Sequence, residues 1–432
     1  MGDGWKFSAA TVTTSIEPVC PAVGDAYDVV VIGGGPAGAT VAALLAQFGH
    51  SVVLFERAGQ QRFHVGESLI PETYWTLKRL GLLDQLRDSA FPKKYSVQFV
   101  NENNRESAPF YFDKHNPHES SQTWQVVRAE FDRMLLENAV EKGAVIHSAA
   151  QVQDVRFDGE RAVGVRVKLG GEDDQRNIAA RVVVDATGQS AFLANRLKLK
   201  VPDPNLKMGT VWSYFRGARR DPGKDEGATL IIQTPGKQSW FWYIPLPDNI
   251  VSVGCTGTMA YMFAAGRGTA ADIFSQEAER SSAITARLAE ATRCDDFHTT
   301  KDFSYTSRQG AGDGWVLVGD ALGFIDPVYS SGVYLALKSG EMGADAIHAA
   351  LAQGDVSGEA LGNWQAKYRG GVESFRKLVY AFYSPEFSFA KFLKAHPQYH
   401  SNLVDILIGN VFRPGVDEMF DVMGDISPQA AI

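Results

Sequence analysis

Cysteine is scarce in this chain. Cys20, Cys255 and Cys294 are odd in number and far apart, with no C-x-x-C spacing, so neither a disulfide framework nor a zinc site of that type is expected. Long apolar runs are missing too: no stretch reaches the ~18 residues needed to cross a bilayer. Positive charge is not in excess, with 42 Lys and Arg against 50 Asp and Glu and a formal charge of -8. A field that attracts nucleic acid or anionic lipid is therefore not expected. The local basic spot at Arg216, Arg219 and Arg220 reads as a solvated loop, with docking of an acidic partner as the alternative. The first 24 residues, 1–24, lack the basic start and apolar core of a signal peptide and read as a mobile tail. Repeats, low-complexity tracts and heptads are absent. A soluble, cytoplasmic protein is expected.

What is present points to a globular chain. Its 432 residues are 45% hydrophobic and 21% charged, enough for a sizeable core divided into two or three subdomains. From Asp28 the sequence reads DVVVIGGGPAGATVAALLAQFGHSVVLFE. Its β-branched run predicts a buried strand, Gly33, Gly35 and Gly38 fit G-x-G-x-x-G, an Ala- and Leu-rich helix runs to Gly49, and a second strand ends at Glu56. Gly33 permits the tight turn, Gly35 lets backbone approach a pyrophosphate, and Gly38 lets helix and strand pack closely. The helix N-terminus then faces negative charge. Glu56 stands near the roughly 20-residue spacing at which a carboxylate reaches an adenosine ribose. The pattern by itself leaves NAD and FAD open.

Three further stretches carry chemistry. In GDGWVLVGDALGFIDPVYSSGVYLALKSGEMGAD, a strand at 315–318 leads through Gly319 and Asp320 and a turn to a helix with small residues on one face. An Asp just after a strand suits hydrogen bonding to a polyol, or simply caps a turn. The SSG run, residues 330–332, offers N–H groups and hydroxyls at a helix start, an anion site. VRAEFDRMLLENAVEKG is an amphipathic helix with Phe131, Leu135 and Ala139 inward and Arg128 near its start. WFWYIPLP, residues 240–247, places Trp240 and Trp242 on one face of a strand and Phe241 and Tyr243 on the other. Two indoles form a wall that is large, rigid and poor at admitting water, or else they fill a core.

Taken together these stretches resemble the FAD-binding elements of the large flavoprotein family that includes para-hydroxybenzoate hydroxylase. The resemblance implies FAD, held by Gly33, Gly35, Gly38, Glu56, Arg128 and Asp320, and VVVDATG, ending at Gly188, is similar to that family's third strand. No second glycine fingerprint for a nicotinamide is visible, so reduced flavin has to come from elsewhere.

Within that family the chain resembles the flavin-dependent halogenases. Trp240, Trp242, Ile244 and Pro245 match W-x-W-x-I-P, Gly66, Glu67 and Ser68 match G-E-S, and Lys94 stands five residues before Phe99. Asp326, Pro327, Ser330 and Gly332 match the D-P-x-x-S-x-G of halogenases acting on phenols and pyrroles. The resemblance implies that reduced FAD, O2 and chloride or bromide give hypohalous acid. It puts the halide at Ser331 and Gly332, Pro327 among the cofactor contacts, and Trp240 and Trp242 between flavin and substrate. Lys94 then receives the hypohalous acid, either by hydrogen bonding and polarising it as an ammonium or by forming a haloamine as a neutral amine. Lys93 competes for that role, and alternation along YSVQF favours Lys94. Glu67 reads as a carboxylate that orients Lys94 or steers a closing loop, or as a helix-start residue. Tryptophan halogenases carry a glutamate where this chain has Tyr329, which implies a phenol or pyrrole substrate, free or tethered to a carrier protein. A flavin reductase is the implied partner.

The expected fold is α/β: a Rossmann-like FAD-binding domain of the GR2 type, a mixed or antiparallel substrate-domain sheet, and a C-terminal helical region. Residues 25–205 with 300–345 form the FAD domain, 206–299 with about 95–125 the sheet, and 346–432 the helices. The last segment is rich in aromatics, as in YAFYSPEFSFAKFLKAH, which shape the outer wall of a substrate pocket. A hydroxylase, an isoprenoid reductase or a non-catalytic FAD-binding protein of the same fold are the alternatives.

Overall fold

The run of valines in Ala26–Ile32 forms the centre of a parallel sheet, where both faces are covered and a continuous apolar strand is favoured over an alternating one. Val29, Val30 and Val31 are fully buried. Val52–Phe55 and Gln175–Asp185 pair with that strand on either side, both parallel. Trp315–Leu317 and Val145–His147 extend the sheet in the same sense. Parallel neighbours need a crossover, which Pro36–Gln47 supplies for the first pair. The hairpin Ala150–Asp158 and Arg161–Leu169 continues antiparallel from Gln175–Asp185. This computed structural model describes residues 23–59, 64–170, 175–301, 304–385 and 387–423. The expected tail and Cys20 therefore lie almost wholly outside the described residues.

The long helix Gly332–Gln353 crosses Pro36–Gln47 at close range, because Gly340 has no side chain: a Cβ there would sit 2.7 Å from the Ala37 carbonyl oxygen. Between the strand Trp315–Leu317 and this helix the chain makes two short 3-10 turns, Gly319–Ala321, which carries Asp320, and Pro327–Tyr329. Pro327, with no N–H and a fixed φ, is tolerated at such a start, and Asp326 caps the second turn by accepting from Val328 N.

The second sheet is an antiparallel meander of Thr229–Gln233, Ser239–Leu246 and Ile250–Thr258, with Met208–Arg216 beyond. Ser96–Val100 joins it parallel to Thr229–Gln233. Alternation on Ser239–Leu246 holds: Trp240, Trp242 and Ile244 pack into the main core, whereas Phe241 and Tyr243 enter a separate cluster with Phe274 and Ile284. From residue 332 on, the described elements are helical, including Gln365–Tyr383 and His400–Ile408. Arg376 and Tyr380 of the former both bond Asp203 and so pin it to the rest of the molecule. Among the described residues no helix is long and apolar enough to cross a membrane and no cluster of metal ligands forms.

Candidate active site

The glycine loop, Glu56, Arg128, Asp320, Pro327 and Gly332 line one cavity of about 1970 Å³, larger than the roughly 300–1,000 Å³ of sites for drug-sized ligands. Three glycines do different work there. Gly33 has φ +102°, and a Cβ on it would meet the Ala186 carbonyl oxygen at 2.5 Å. On Gly38 a Cβ would sit 2.0 Å from the Gly33 oxygen, so helix and loop touch. A Cβ on Gly35 would meet nothing within 4 Å beyond the adjoining chain. That open space beside the N-terminus of Pro36–Gln47 fits a pyrophosphate, and the cavity fits an extended dinucleotide such as FAD.

Glu56 accepts from Gly34 N and Ala58 N at 2.8 Å each, one amide per oxygen, which fixes its carboxylate on the wall of the large cavity. Arg128 is buried and makes a two-pronged contact to Asp132 one helical turn on, while Nη1 donates to the Val65 carbonyl at 2.9 Å. Its position explains Gly66, whose φ is +112° and whose Cβ would meet Arg128 Nη1 at 2.9 Å. Burial pushes Asp320 up to about 7, with Arg128 opposing it.

Ser331 and Gly332 sit at the start of Gly332–Gln353, with Ser330 in the left-handed region at φ +57°. Gly332 and Ser330 line the large cavity, whereas the Ser331 side chain is buried at the helix start. The first-turn N–H groups carry the positive end of the helix dipole.

Trp240 and Trp242 both line the large cavity, their ring centroids 6.2 Å apart. Each indole N–H is held: Trp240 Nε1 donates to Tyr383 Oη at 2.7 Å and Trp242 Nε1 to Ser252 Oγ at 3.1 Å. Tyr383 in turn donates to Asp326 at 2.9 Å, which ties the wall to the loop before Ser330. Burial pushes Asp326 up to about 7.

Lys94 lies in the two-residue strand Lys93–Lys94 and is buried at 2% exposure, whereas Lys93 faces outward. Its Nζ donates to Ser68 Oγ at 2.8 Å and to the Leu69 carbonyl at 3.0 Å, with the Phe112 ring centroid 5.7 Å away. Burial lowers Lys94 to about 7. It opens onto a second cavity of about 20 Å³, walled by Ile70, Phe112, Tyr329 and Leu407 among others. That volume suits one water.

Glu67 departs from its expected roles. It is in a loop well before the helix Thr73–Leu80, not at a helix start, and it does not bond Lys94. It accepts from Tyr214 Oη at 2.5 Å, and burial pushes it up to about 7. The residue that holds the lysine is its neighbour Ser68, because adjacent side chains of the extended loop face opposite ways. Sequence pattern gives no role to Ser68, Thr229, Trp212 or Tyr383, which only the fold brings to the site. Ser68 stands in the G-E-S motif and Tyr383 in the aromatic-rich C-terminal stretch, whereas no local pattern marks Thr229 or Trp212.

The family described as FAD binding domain matches residues 26–355. Over 421 residues the chain is 30% identical to the 1H-pyrrole-2-carbonyl-(peptidyl-carrier protein) chlorinase of Pseudomonas fluorescens, with 93% of each covered. It is 31% identical over 359 residues to the tryptophan 2-halogenase of Chondromyces crocatus, covering 82% of this chain and 67% of that one. The solved structure of the flavin-dependent brominase Bmp2 superposes with a TM-score of 0.83 at 27% identity, over 93% of this chain and 98% of that one.

Proposed function

Because this chain belongs to the FAD-binding-domain family and, within it, to the flavin-dependent halogenases, we propose that it places chlorine or bromine on a pyrrole or phenol ring presented by a carrier protein. When bound, reduced FAD together with O2 supplies the oxidising equivalents that turn halide into hypohalous acid. Everything else falls to the protein. Gly33, Gly35 and Gly38 give the loop its shape, and Glu56, Arg128, Asp320 and Pro327 would hold the cofactor in the large cavity. Backbone N–H groups of Ser331 and Gly332 would hold the halide. Trp240 and Trp242 keep the ring away from the flavin, which prevents direct oxygen transfer. Lys94 receives the hypohalous acid and presents the halogen to the ring.

The observation that carries this reading is the setting of Lys94: a buried amine in its own small cavity, apart from the cofactor cavity. The carrier-bound pyrrole rests on the Pseudomonas fluorescens relative and on Tyr329, which stands in the Lys94 cavity wall and leaves ring activation to the substrate's own heteroatom. A cavity of about 20 Å³ is too small for a ring, so substrate enters as Leu407, Tyr329 or Phe112 moves aside. Residues 25–205 and 300–345 carry the cofactor, 206–299 with about 95–125 the substrate sheet, and 346–432 the outer roof. A separate flavin reductase in the cytoplasm supplies reduced FAD.

The test is incubation with FAD, a flavin reductase, NADH and bromide, with pyrrole-2-carbonyl thioester on a carrier protein beside free pyrroles and phenols. A bromine isotope doublet on the carrier-bound ring is expected. An added oxygen instead would mean a hydroxylase, and bromination of free rings alone would remove the carrier.

A further inference from the structure

The two cavities share a wall. Thr229, Ile231, Val328 and Ser330 line both, Ser68 lines the large one as well, and Thr229 continues into a row of buried hydroxyls. Thr229 Oγ1 lies 2.8 Å from Ser68 Oγ, which lies 2.8 Å from Lys94 Nζ. Thr229, Ser68 and Lys94 are 2%, 3% and 2% exposed. An unbroken line of exchangeable protons therefore runs from the lysine to the edge of the cofactor cavity.

The bonding gives the line a direction. Lys94 donates to Ser68 Oγ and to the Leu69 carbonyl. Among the described contacts, the acceptor left for the Ser68 proton is Thr229 Oγ1. Gln125 Nε2 donates to that same oxygen at 2.8 Å and to the Gly227 carbonyl at 2.8 Å. Both Thr229 lone pairs are then filled. Its own hydrogen is left to point at the large cavity.

We propose that the Ser68–Thr229 hydroxyl pair, oriented by Gln125, is the route by which Lys94 exchanges protons with the cofactor cavity and the device that aims its amine at the small one. The inference rests on Lys94 as the halogen-accepting lysine. An ammonium has no lone pair with which to take a halogen, and the small cavity holds too little water to carry its proton away. The proton leaves Nζ for Ser68 Oγ as Ser68 passes its own to Thr229 Oγ1 and Thr229 releases its own to the large cavity. N–H and O–H bonds are exchanged, and nothing is oxidised or reduced. Loss of that proton leaves the Nζ lone pair facing Ser68; rotation about the Cε–Nζ bond, with both hydroxyls turning back, restores the N–H bonds to Ser68 and Leu69 and turns the lone pair toward the small cavity. The lone pair takes the halogen from hypohalous acid, whose O–X bond breaks as its hydroxide leaves with one N–H proton as water; when the halogen moves to the ring, the proton released by the ring carbon restores that N–H. Other titratable groups nearby are Tyr329 across the small cavity, Glu67 before Ser68, and Asp225, bonded to Ser96 at 3.3 Å. Ser68 and Thr229 touch neither halogen nor ring and are positioning residues.

The test uses full-length protein labelled with ε-15N lysine, free of FAD, with Lys94→Ala identifying the Lys94 signal. Exchange of the Nζ hydrogens with solvent is expected to slow at least tenfold in Thr229→Val and in Ser68→Ala and to recover in Thr229→Ser. In parallel, FAD-loaded enzyme with flavin reductase, NADH and bromide is assayed for hypobromous acid trapped by monochlorodimedone. The trapped fraction rises in Thr229→Val while FAD affinity and flavin oxidation stay as in wild type. Unchanged Nζ exchange and unchanged trapping in both Thr229→Val and Ser68→Ala, while Lys94→Ala makes no brominated substrate, would overturn the relay alone. Full product from Lys94→Ala would instead remove the reading on which it rests.

Discussion

Trp242 fills the space where residue 254 would carry a side chain: a Cβ on Gly254 would sit 2.2 Å from Trp242 Cζ2. The two are direct partners on adjacent strands, and on its other side Gly254 pairs with Trp212. The indole of Trp242 thus lies over the glycine and meets Trp212 at 6.3 Å between centroids. Gly254→Ala is expected to tilt Trp242 out of the wall, at an overpacking cost of about 1–3 kcal/mol. Thermal melting would show the loss of stability, and a larger share of oxidised halide would reach a solution trap. A variant that melts and couples like wild type would mean that the wall tolerates a displaced indole.

Lys94→Ala is expected to lower halogenated product by at least about a hundredfold while FAD affinity and flavin oxidation stay within about twofold. Removing the amine leaves the cofactor cavity intact, since Lys94 lines only the small one. Mass spectrometry of product and a flavin titration on the same preparation separate the two effects.

Burial lowers Lys94 to about 7, so the amine is protonated below that value and neutral above it. The fraction of hypohalous acid that ends on the ring, not in a trap, is expected to rise as pH increases through about 7. Normalising to hypohalous acid removes the contribution of the cofactor cavity, where Asp320 titrates in the same range. A flat profile between pH 6 and 8 would place the lysine's protonation outside the reaction.

Two glycines of one loop should fail differently. Gly35 has open space around it, so Gly35→Val is expected to fold normally and to lose at least tenfold in FAD affinity. At Gly38 a Cβ would press to 2.0 Å on the Gly33 oxygen, so Gly38→Val should unfold or melt far lower with or without FAD. Fluorescence titration and calorimetry of both distinguish a binding space from a packing space.

Glu67 provides a stability test in FAD-free protein. Its folded-state pKa of about 7 lies above the ordinary 4.5, so its favourable contribution is fully present below 4.5 and is lost as pH rises through 7. Ionising it in place costs on the order of 3 kcal/mol. Glu67→Gln keeps an acceptor for the Tyr214 hydroxyl and cannot ionise. Its melting temperature should match wild type near pH 4.5 and exceed it near pH 8.

Much of this architecture is written in short-range patterns. The G-x-G-x-x-G loop between two apolar strands specifies the first crossover, because each glycine answers a demand of its immediate neighbours. Period-two alternation puts Trp240 and Trp242 on one face, and it separates buried Lys94 from exposed Lys93. Those features need only the geometry of a strand or a turn, which any local stretch of chain carries.

Local pattern specifies which residue types stand ready: the glycine loop, the paired indoles, the buried member of the Lys93–Lys94 pair, and the acids that burial perturbs. Tertiary structure alone decided that Ser68, and not Glu67, holds Lys94, that Thr229 stands 161 positions from Ser68 yet shares its hydrogen bond, and that Tyr383 ties Trp240 to Asp326. It also decided that one wall separates two cavities. No periodicity links residues so far apart in the chain, because their contact is set by the packing of whole sheets and helices, and the energy of that packing is spread over the entire core.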